Sequence, residues 1–142
     1  MKLKALRLAV FACALLTTVC AASAQDETVL QSNEDDEITI TLPVRAGDVT
    51  LQPGSYALQL RSSGGRHFIR FMRVEESLEF RVTRIFTGWY TDTREYKAGD
   101  VACRMQPLGA TVQATTAKIE SNDGMPRITS VMVRGKAAVC NF

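Results

Sequence analysis

Few residues in this chain have a type and setting suited to catalysis. The one histidine, His67, falls in an apolar stretch where strand alternation places it beside Ile69 and Phe71. Nucleophilic catalysis needs a nucleophile next to an oriented base, and the sequence contains no G-x-S-x-G elbow, H-E-x-x-H motif, Walker loop or G-x-G-x-x-G motif. Glu75-Glu76 could form an acid–base pair, but the two lie in an apparent turn without a pocket. We therefore predict that the protein is not an enzyme and uses no cofactor or metal ion, and that His67 lies on a partly covered sheet face.

Arginine supplies the densest group of positive charge. Arginine recognises carboxylate and phosphate groups, so the first candidate surface is an anion patch formed by Arg66, Arg70 and Arg81. The alternative, which we favour, is a surface of paired charges, because glutamates at 75, 76 and 79 lie close by in the chain.

Aromatic residues concentrate in the stretch Thr87–Gly99, TGWYTDTREYKAG, which holds the only tryptophan and two of the three tyrosines. We interpret it as a loop between glycines, and loops on a rigid sheet commonly carry recognition. Its tryptophan, tyrosines and arginine are residue types enriched at binding hot spots. The alternative is that the aromatic side chains fold back over an open end of the core. The predicted binding residues are Trp89, Tyr90, Arg94 and Tyr96.

The first 24 residues have the form of an export signal. Lys2, Lys4 and Arg7 precede the apolar run Leu8–Val19, and Ala22-Ser23-Ala24 matches the A-x-A cleavage pattern. The run is shorter than the roughly 20 residues that span a bilayer, so we expect no transmembrane helix after removal of the signal. Removal also lowers the formal charge from +2 to −1. We predict a periplasmic or secreted protein with an unknown protein or extracellular ligand as partner, and no nucleic acid.

Two cysteines, Cys103 and Cys140, remain after cleavage. An even pair in an oxidising compartment predicts a disulfide. In the chain-entropy model, a bond that closes a loop of this length stabilises the fold by roughly 4 kcal/mol. A metal site is the alternative, but two cysteines and one distant histidine supply too few ligands.

The mature chain divides into a lead-in and one domain. Residues 25–36 lack apolar periodicity and end in an acidic run, which predicts a flexible N-terminal segment rather than a calcium-binding or docking tail. From 37 to 142, strand patterns recur about every ten residues, and no helical stripe is present. This spacing is typical of a single all-β domain, an antiparallel sandwich or small barrel of about eight or nine strands.

Turns are predicted between these strands, among them the following four. Gln52–Ser55 fits a type II turn, and Asn122–Gly124 fits a type I′ hairpin turn. Ser62–Gly65 and Glu75–Ser77 read as further turns. After Glu75–Ser77, alternation continues through Leu78, Phe80 and Val82, which predicts a strand under a second layer or in mid-sheet.

The segment Leu51–Tyr56, LQPGSY, resembles the L-P-A-G-x-Y turn of many small exported bacterial β-proteins of unknown function, with Pro53 displaced by one position. The resemblance implies an exported β fold and assigns no site residue. Residue types and spacing together predict a binding module for an envelope protein or extracellular ligand. The alternative is a structural or assembly component of the cell envelope that acts through sheet edges.

Overall fold

A computed structural model describes residues 26–122 and 124–142, so the predicted export signal 1–24 lies outside the described residues. Within them the chain is all-β, as predicted, and contains no helix. Ten strands are present: β1 (Asp26–Gln31), β2 (Glu37–Ile40), β3 (Val44–Ala46), β4 (Val49–Leu51), β5 (Gly54–Ser63), β6 (Arg66–Val82), β7 (Thr87–Pro107), β8 (Thr116–Ser121), β9 (Arg127–Met132) and β10 (Ala138–Asn141).

The strands form an antiparallel sheet that is nearly closed into a barrel. The strand order is β1-β8-β9-β10-β7-β6-β5-β2, and its two outer members, β1 and β2, follow one another in the chain. The short β3–β4 hairpin joins this sheet through a parallel pairing of β3 with β9. Near-closure limits the free edge at the two outer strands, β1 and β2, and so limits unwanted pairing with other chains there.

The core lies inside the barrel and is built from inward-facing residues, which alternate with outward-facing ones along the strands. Phe71, Ile69, Ile38 and Leu51 are fully or almost fully buried there. Tyr56 is also buried, and its hydroxyl donates to the Gln52 carbonyl oxygen at 2.7 Å, so its polar end is satisfied. Period-two alternation in the sequence therefore identified real core-facing positions in β2, β4, β5 and β6.

The predicted pairing of Cys103 with Cys140 agrees with the structure. The two residues lie at disulfide distance, with their Cα atoms 5.4 Å apart. Cys103 belongs to β7 and Cys140 to β10, two neighbouring strands of the sheet. The bond therefore attaches the final strand to the longest one.

The N-terminal segment differs from its prediction. Residues 26–31 of the expected flexible lead-in form β1, which pairs along its whole length with β8. The Lys118 ammonium lies 3.0 Å from the Glu27 carboxylate, so part of the acidic charge is neutralised in the sheet. Pairing with β8 supplies the backbone partners that the polar sequence alone did not suggest.

Turn predictions met mixed outcomes. Gly64 and Gly65 have φ values of 58° and 73°, as a type I′ hairpin turn between β5 and β6 requires. Gly54 has φ 156° and begins β5 opposite Ile40, so the predicted type II turn is wrong. The β8–β9 hairpin is present, but Asp123 of its predicted turn lies outside the described residues.

Two segments predicted to interrupt strands are instead parts of strands. Glu75–Ser77, predicted to be a turn, lies inside β6, and Thr87–Gly99, predicted to be a loop, lies inside β7. The two strands pair from His67↔Cys103 to Val82↔Thr87, with a bulge at Ala98 where Phe71 faces Gly99 and Met72 faces Lys97. Polar residues are accommodated in this hairpin because most of its outer part is exposed on both faces.

Candidate functional site

The outer part of the β6–β7 hairpin extends beyond the barrel. Beyond Val74, β6 pairs only with β7, because β5 begins its pairing at Ser55↔Val74. We call the paired segments 75–82 and 87–94, with their connection, the arm. Eight residues of extended chain correspond to a length of about 26 Å.

The arm closes through a four-residue connection, 83–86, held by its own polar groups. The Thr83 amide donates to the Phe86 carbonyl oxygen at 2.6 Å, and the Phe86 amide donates to the Thr83 hydroxyl oxygen at 3.0 Å. Gly88 leaves room for the Phe86 ring, because a Cβ at Gly88 would lie 3.3 Å from it. The tip is thus fixed locally, without support from the barrel.

One face of the arm is apolar and uncovered. Strand register places Phe80 directly opposite Trp89, with their ring centroids 5.2 Å apart in an edge-on arrangement. Leu78 and Val82 flank Phe80 on the same face, since they lie two residues to either side of it. The exposed fractions of Leu78, Phe80, Val82 and Trp89 are 65%, 55%, 69% and 64%. We call these four residues the apolar face.

These residues correct an earlier expectation. Alternation of Leu78, Phe80 and Val82 predicted a strand under a second layer or in mid-sheet, but no described part of the chain covers them, and β6 pairs there only with β7. Trp89 is likewise exposed rather than folded over the end of the core. The tip residue Ile85 is 98% exposed and extends the apolar surface to the end of the arm.

The opposite face of the arm is polar and internally bonded. The Tyr90 hydroxyl donates to the Glu79 carboxylate at 2.5 Å, and the Arg94 guanidinium donates to Glu79 at 3.3 Å and to Asp92 at 2.8 Å. The Arg81 guanidinium lies 4.4 Å from the centre of the Tyr90 ring. The hydrogen bond from the Tyr90 hydroxyl to Glu79 raises the pKa of Tyr90, and burial raises it to a smaller extent. The bonds of Glu79 to Tyr90 and Arg94 connect β6 to β7 across this face.

The four predicted binding residues therefore do not form one surface. Trp89 lies on the apolar face, whereas Tyr90 and Arg94 lie on the polar face and are engaged with Glu79. Tyr96 lies nearer the barrel, opposite Arg73, and is 47% exposed. Of the four, only Trp89 belongs to the uncovered apolar surface.

The three arginines of the predicted anion patch are also separated. Arg66 follows the β5–β6 turn, and Arg81 lies fifteen residues further along β6 on the arm. Arg70 is bound to Asp100 through two contacts, at 2.8 and 3.0 Å. The bond from Arg70, with a smaller contribution from Lys97, holds the pKa of Asp100 well below its usual range. Arg70 is therefore occupied by a partner within the fold.

His67 contacts a hydroxyl group but lies outside the arm. Its Nδ1 atom is 2.7 Å from the Ser62 hydroxyl oxygen, because the two residues are cross-strand neighbours in β5 and β6. His67 borders an open depression of about 750 Å³ that is also lined by Arg66, Arg104 and Phe142. No carboxylate among the described residues forms a salt bridge with His67, so this contact lacks an orienting acid there.

Negative charge gathers where the arm meets the barrel. Glu76 and Glu95 project from the sheet face that continues into the apolar face, since Glu76 lies two residues from Leu78 and Glu95 lies opposite Val74. The strand register makes Glu76 and Glu95 diagonal neighbours on this face, because Glu76 pairs with Thr93 and Glu95 with Val74. Burial, and then the charges of Asp35, Glu76 and Glu95, raise the pKa of Glu37. The base of the apolar face is therefore acidic.

Across residues 26–122 and 124–142, no group of three or more histidine, cysteine or acidic side chains is arranged to hold a metal ion. None of these residues forms a helix of the length and hydropathy needed to cross a membrane. No protein-family model, curated protein or solved structure matches the chain.

The arm was missed at the sequence level, although a signal for it exists. In the arm, the residue numbers of two positions that pair across the connection 83–86 always have the same sum. Val82 therefore pairs with Thr87, and Phe80 pairs with Trp89. Reading that mirror symmetry around the connection would have joined the Leu78–Val82 alternation to Trp89 in one hairpin. Leu78, Phe80 and Val82 would then have been recognised as partners of Trp89.

Proposed function

We propose that the protein is an exported, non-catalytic binding module and that the apolar face of the arm is its binding surface. The single observation that carries this proposal is the exposure of Leu78, Phe80, Val82 and Trp89 on one side of a projecting hairpin. From typical side-chain areas and these exposed fractions, the face presents on the order of 500 Å² of apolar surface. Soluble monomers rarely expose more, and patches of this size commonly mark interaction sites.

The make-up of the arm suits binding. Trp89 and Phe80 are rigid aromatic side chains, which contribute large contact area at low conformational cost. The bonds of Glu79 to Tyr90 and Arg94 on the other face preorganise the hairpin, so little ordering is required on association. An amino-terminal segment with the pattern of an export signal and the paired Cys103 and Cys140 support a site of action outside the cytoplasm.

Site-directed photocrosslinking tests this proposal in producing cells. A benzophenone side chain replaces Phe80 on the apolar face or, as a matched control, Ser77 on the polar face of the same strand. We expect specific adducts from position 80 and few or none from position 77. Equal yields at both positions, or no adduct from position 80, would refute the arm as the binding surface.

A second candidate function is assembly through sheet edges. Among the described residues, 75–82 of β6 have a partner strand on one side only, and so do 87–103 of β7. An extended segment of another chain could add to either edge through backbone hydrogen bonds. Trp89→Ser separates the two functions, because it removes apolar-face binding while leaving the backbone edges intact.

A further inference from the structure

The two ends of the apolar face carry opposite charge. Arg84 lies in the tip connection, whereas Glu76 and Glu95 lie at the base of the arm, on the face that carries Leu78 and Phe80. In the described parts of the chain, neither Arg84 nor Glu76 nor Glu95 belongs to a salt bridge. Their charges are therefore available to a partner.

These charges lie at opposite ends of the apolar face, on either side of Phe80. On β6, Glu76 precedes Phe80 by four residues, about 13 Å of extended strand, whereas Arg84 lies two residues beyond Val82, in the tip connection at the other end. Leu78 and Val82 occupy the intermediate positions. A two-fold axis through Phe80 that reverses the strand direction therefore places the tip of one arm over the base of the other.

We propose that the partner of the apolar face is the same face of a second copy of this chain, packed in an antiparallel two-fold arrangement. This inference rests on the proposed function. Such a contact is self-complementary, as a closed dimer requires. Phe80 and Trp89 pack against their symmetry mates at the centre, and Arg84 of each copy lies near Glu76 of the other. Opposite charges at the two ends fix the antiparallel direction.

The available area agrees with such a dimer. A standard specific interface buries about 800 Å² on each partner. The apolar face supplies the larger part of that area, and Ile85 at the tip with Thr87, Thr91 and Thr93 at its margins supplies more. This threonine margin also gives the polar rim typical of protein interfaces.

A membrane surface fits the arm less well. Anionic lipid would attract Arg84 but would repel the acidic base at Glu76 and Glu95. Deep insertion would also leave the unpaired backbone of both outer strand edges without hydrogen-bond partners in hydrocarbon. Charge and backbone chemistry therefore both favour a second copy.

Sedimentation velocity over a range of concentrations tests the dimer, with the full chain as the exporting cell processes it. We expect a monomer–dimer equilibrium that Arg84→Glu and Glu76→Arg each weaken about tenfold, because each reversal sets like charges against one another at both ends of the interface. The double variant restores opposite charges across the two-fold axis, and we expect it to recover most of the affinity. Arg61→Glu, an exposed change on β5 of the same size in charge, is the control and should leave the dimer unchanged.

Each other outcome overturns this inference in a distinguishable way. A chain that stays monomeric at all concentrations while position 80 still crosslinks to another protein refutes the second copy and leaves the proposed function standing. Binding to vesicles of anionic lipid by the monomer, lost in Trp89→Ser, identifies a lipid surface instead. If Trp89→Ser and both charge reversals leave the dimer affinity unchanged, the dimer interface is formed by another face of the protein. A monomer with neither crosslinks from position 80 nor vesicle binding refutes both proposals.

Discussion

Replacing Trp89 by alanine tests whether Trp89 is an exposed residue of the arm or a buried residue of the core. The Trp89 side chain is 64% exposed and makes an edge-on contact with Phe80 at 5.2 Å. Aromatic pairs of this kind contribute about 0.5–1.5 kcal/mol beyond area burial, so we expect Trp89→Ala to lower the free energy of unfolding by about 1 kcal/mol. Phe71 is fully buried, and Phe71→Ala should cost about 3–5 kcal/mol.

Urea denaturation followed by far-ultraviolet circular dichroism measures both variants. Tryptophan fluorescence is unsuitable here, because Trp89 is the only tryptophan. Because Trp89→Ala removes an exposed contact and leaves the barrel core unchanged, it should shift the midpoint slightly and leave the slope of the transition unchanged. Leu42→Ala, at a residue 67% exposed on the barrel, is the matched control for loss of exposed apolar surface.

The refuting result for this reasoning is a loss of stability in Trp89→Ala comparable with that of Phe71→Ala. That outcome would mean that Trp89 packs against the core and that the arm does not project. The apolar face would then be an interior surface, and neither proposal about binding could stand. The measurement therefore precedes every binding experiment.

Two further predictions concern the barrel. Replacing both Cys103 and Cys140 by serine should lower the free energy of unfolding by roughly 4 kcal/mol, measured by urea denaturation of the oxidised protein and the double variant, and equal midpoints would contradict it. Asp100 has a lowered pKa because Arg70 bonds its carboxylate, so its contribution is present above the ordinary carboxyl pKa and is lost as the pH falls below it. Asp100→Asn should therefore cost about 1 kcal/mol at neutral pH and progressively less below about pH 4, whereas a pH-independent difference would exclude this ion pair as the cause.

The all-β fold and the cysteine pairing could be predicted because both depend on local or simple signals. Alternation at Ile38 and Ile40 marks one buried side of a strand, and removal of the predicted export signal leaves two cysteines, which allow one pairing. The strand β1 was missed because its stabilisation comes from pairing with β8, about ninety residues away. Composition of a segment does not record such a partner.

The arm exposes a limit of pattern reading. Alternation at Leu78, Phe80 and Val82 has the same period whether the apolar side faces a core or solvent. The glutamates and serine at 75–77 resemble a turn because exposed strands tolerate polar residues on both faces. Only the pairing of Phe80 with Trp89, and the absence of a covering layer among the described residues, distinguishes a projecting arm from an interior strand.

The most direct measurement of the central claim is the fluorescence of Trp89 as a function of protein concentration, read beside the sedimentation state. At dilutions where the chain is monomeric, we predict the long-wavelength emission of a water-exposed indole and ready quenching by acrylamide. As the dimer forms, the emission should shift to shorter wavelength and the quenching should fall. Short-wavelength emission with protection from acrylamide in the monomer would contradict an exposed apolar face, and unchanged emission through dimer formation would contradict its burial between two copies.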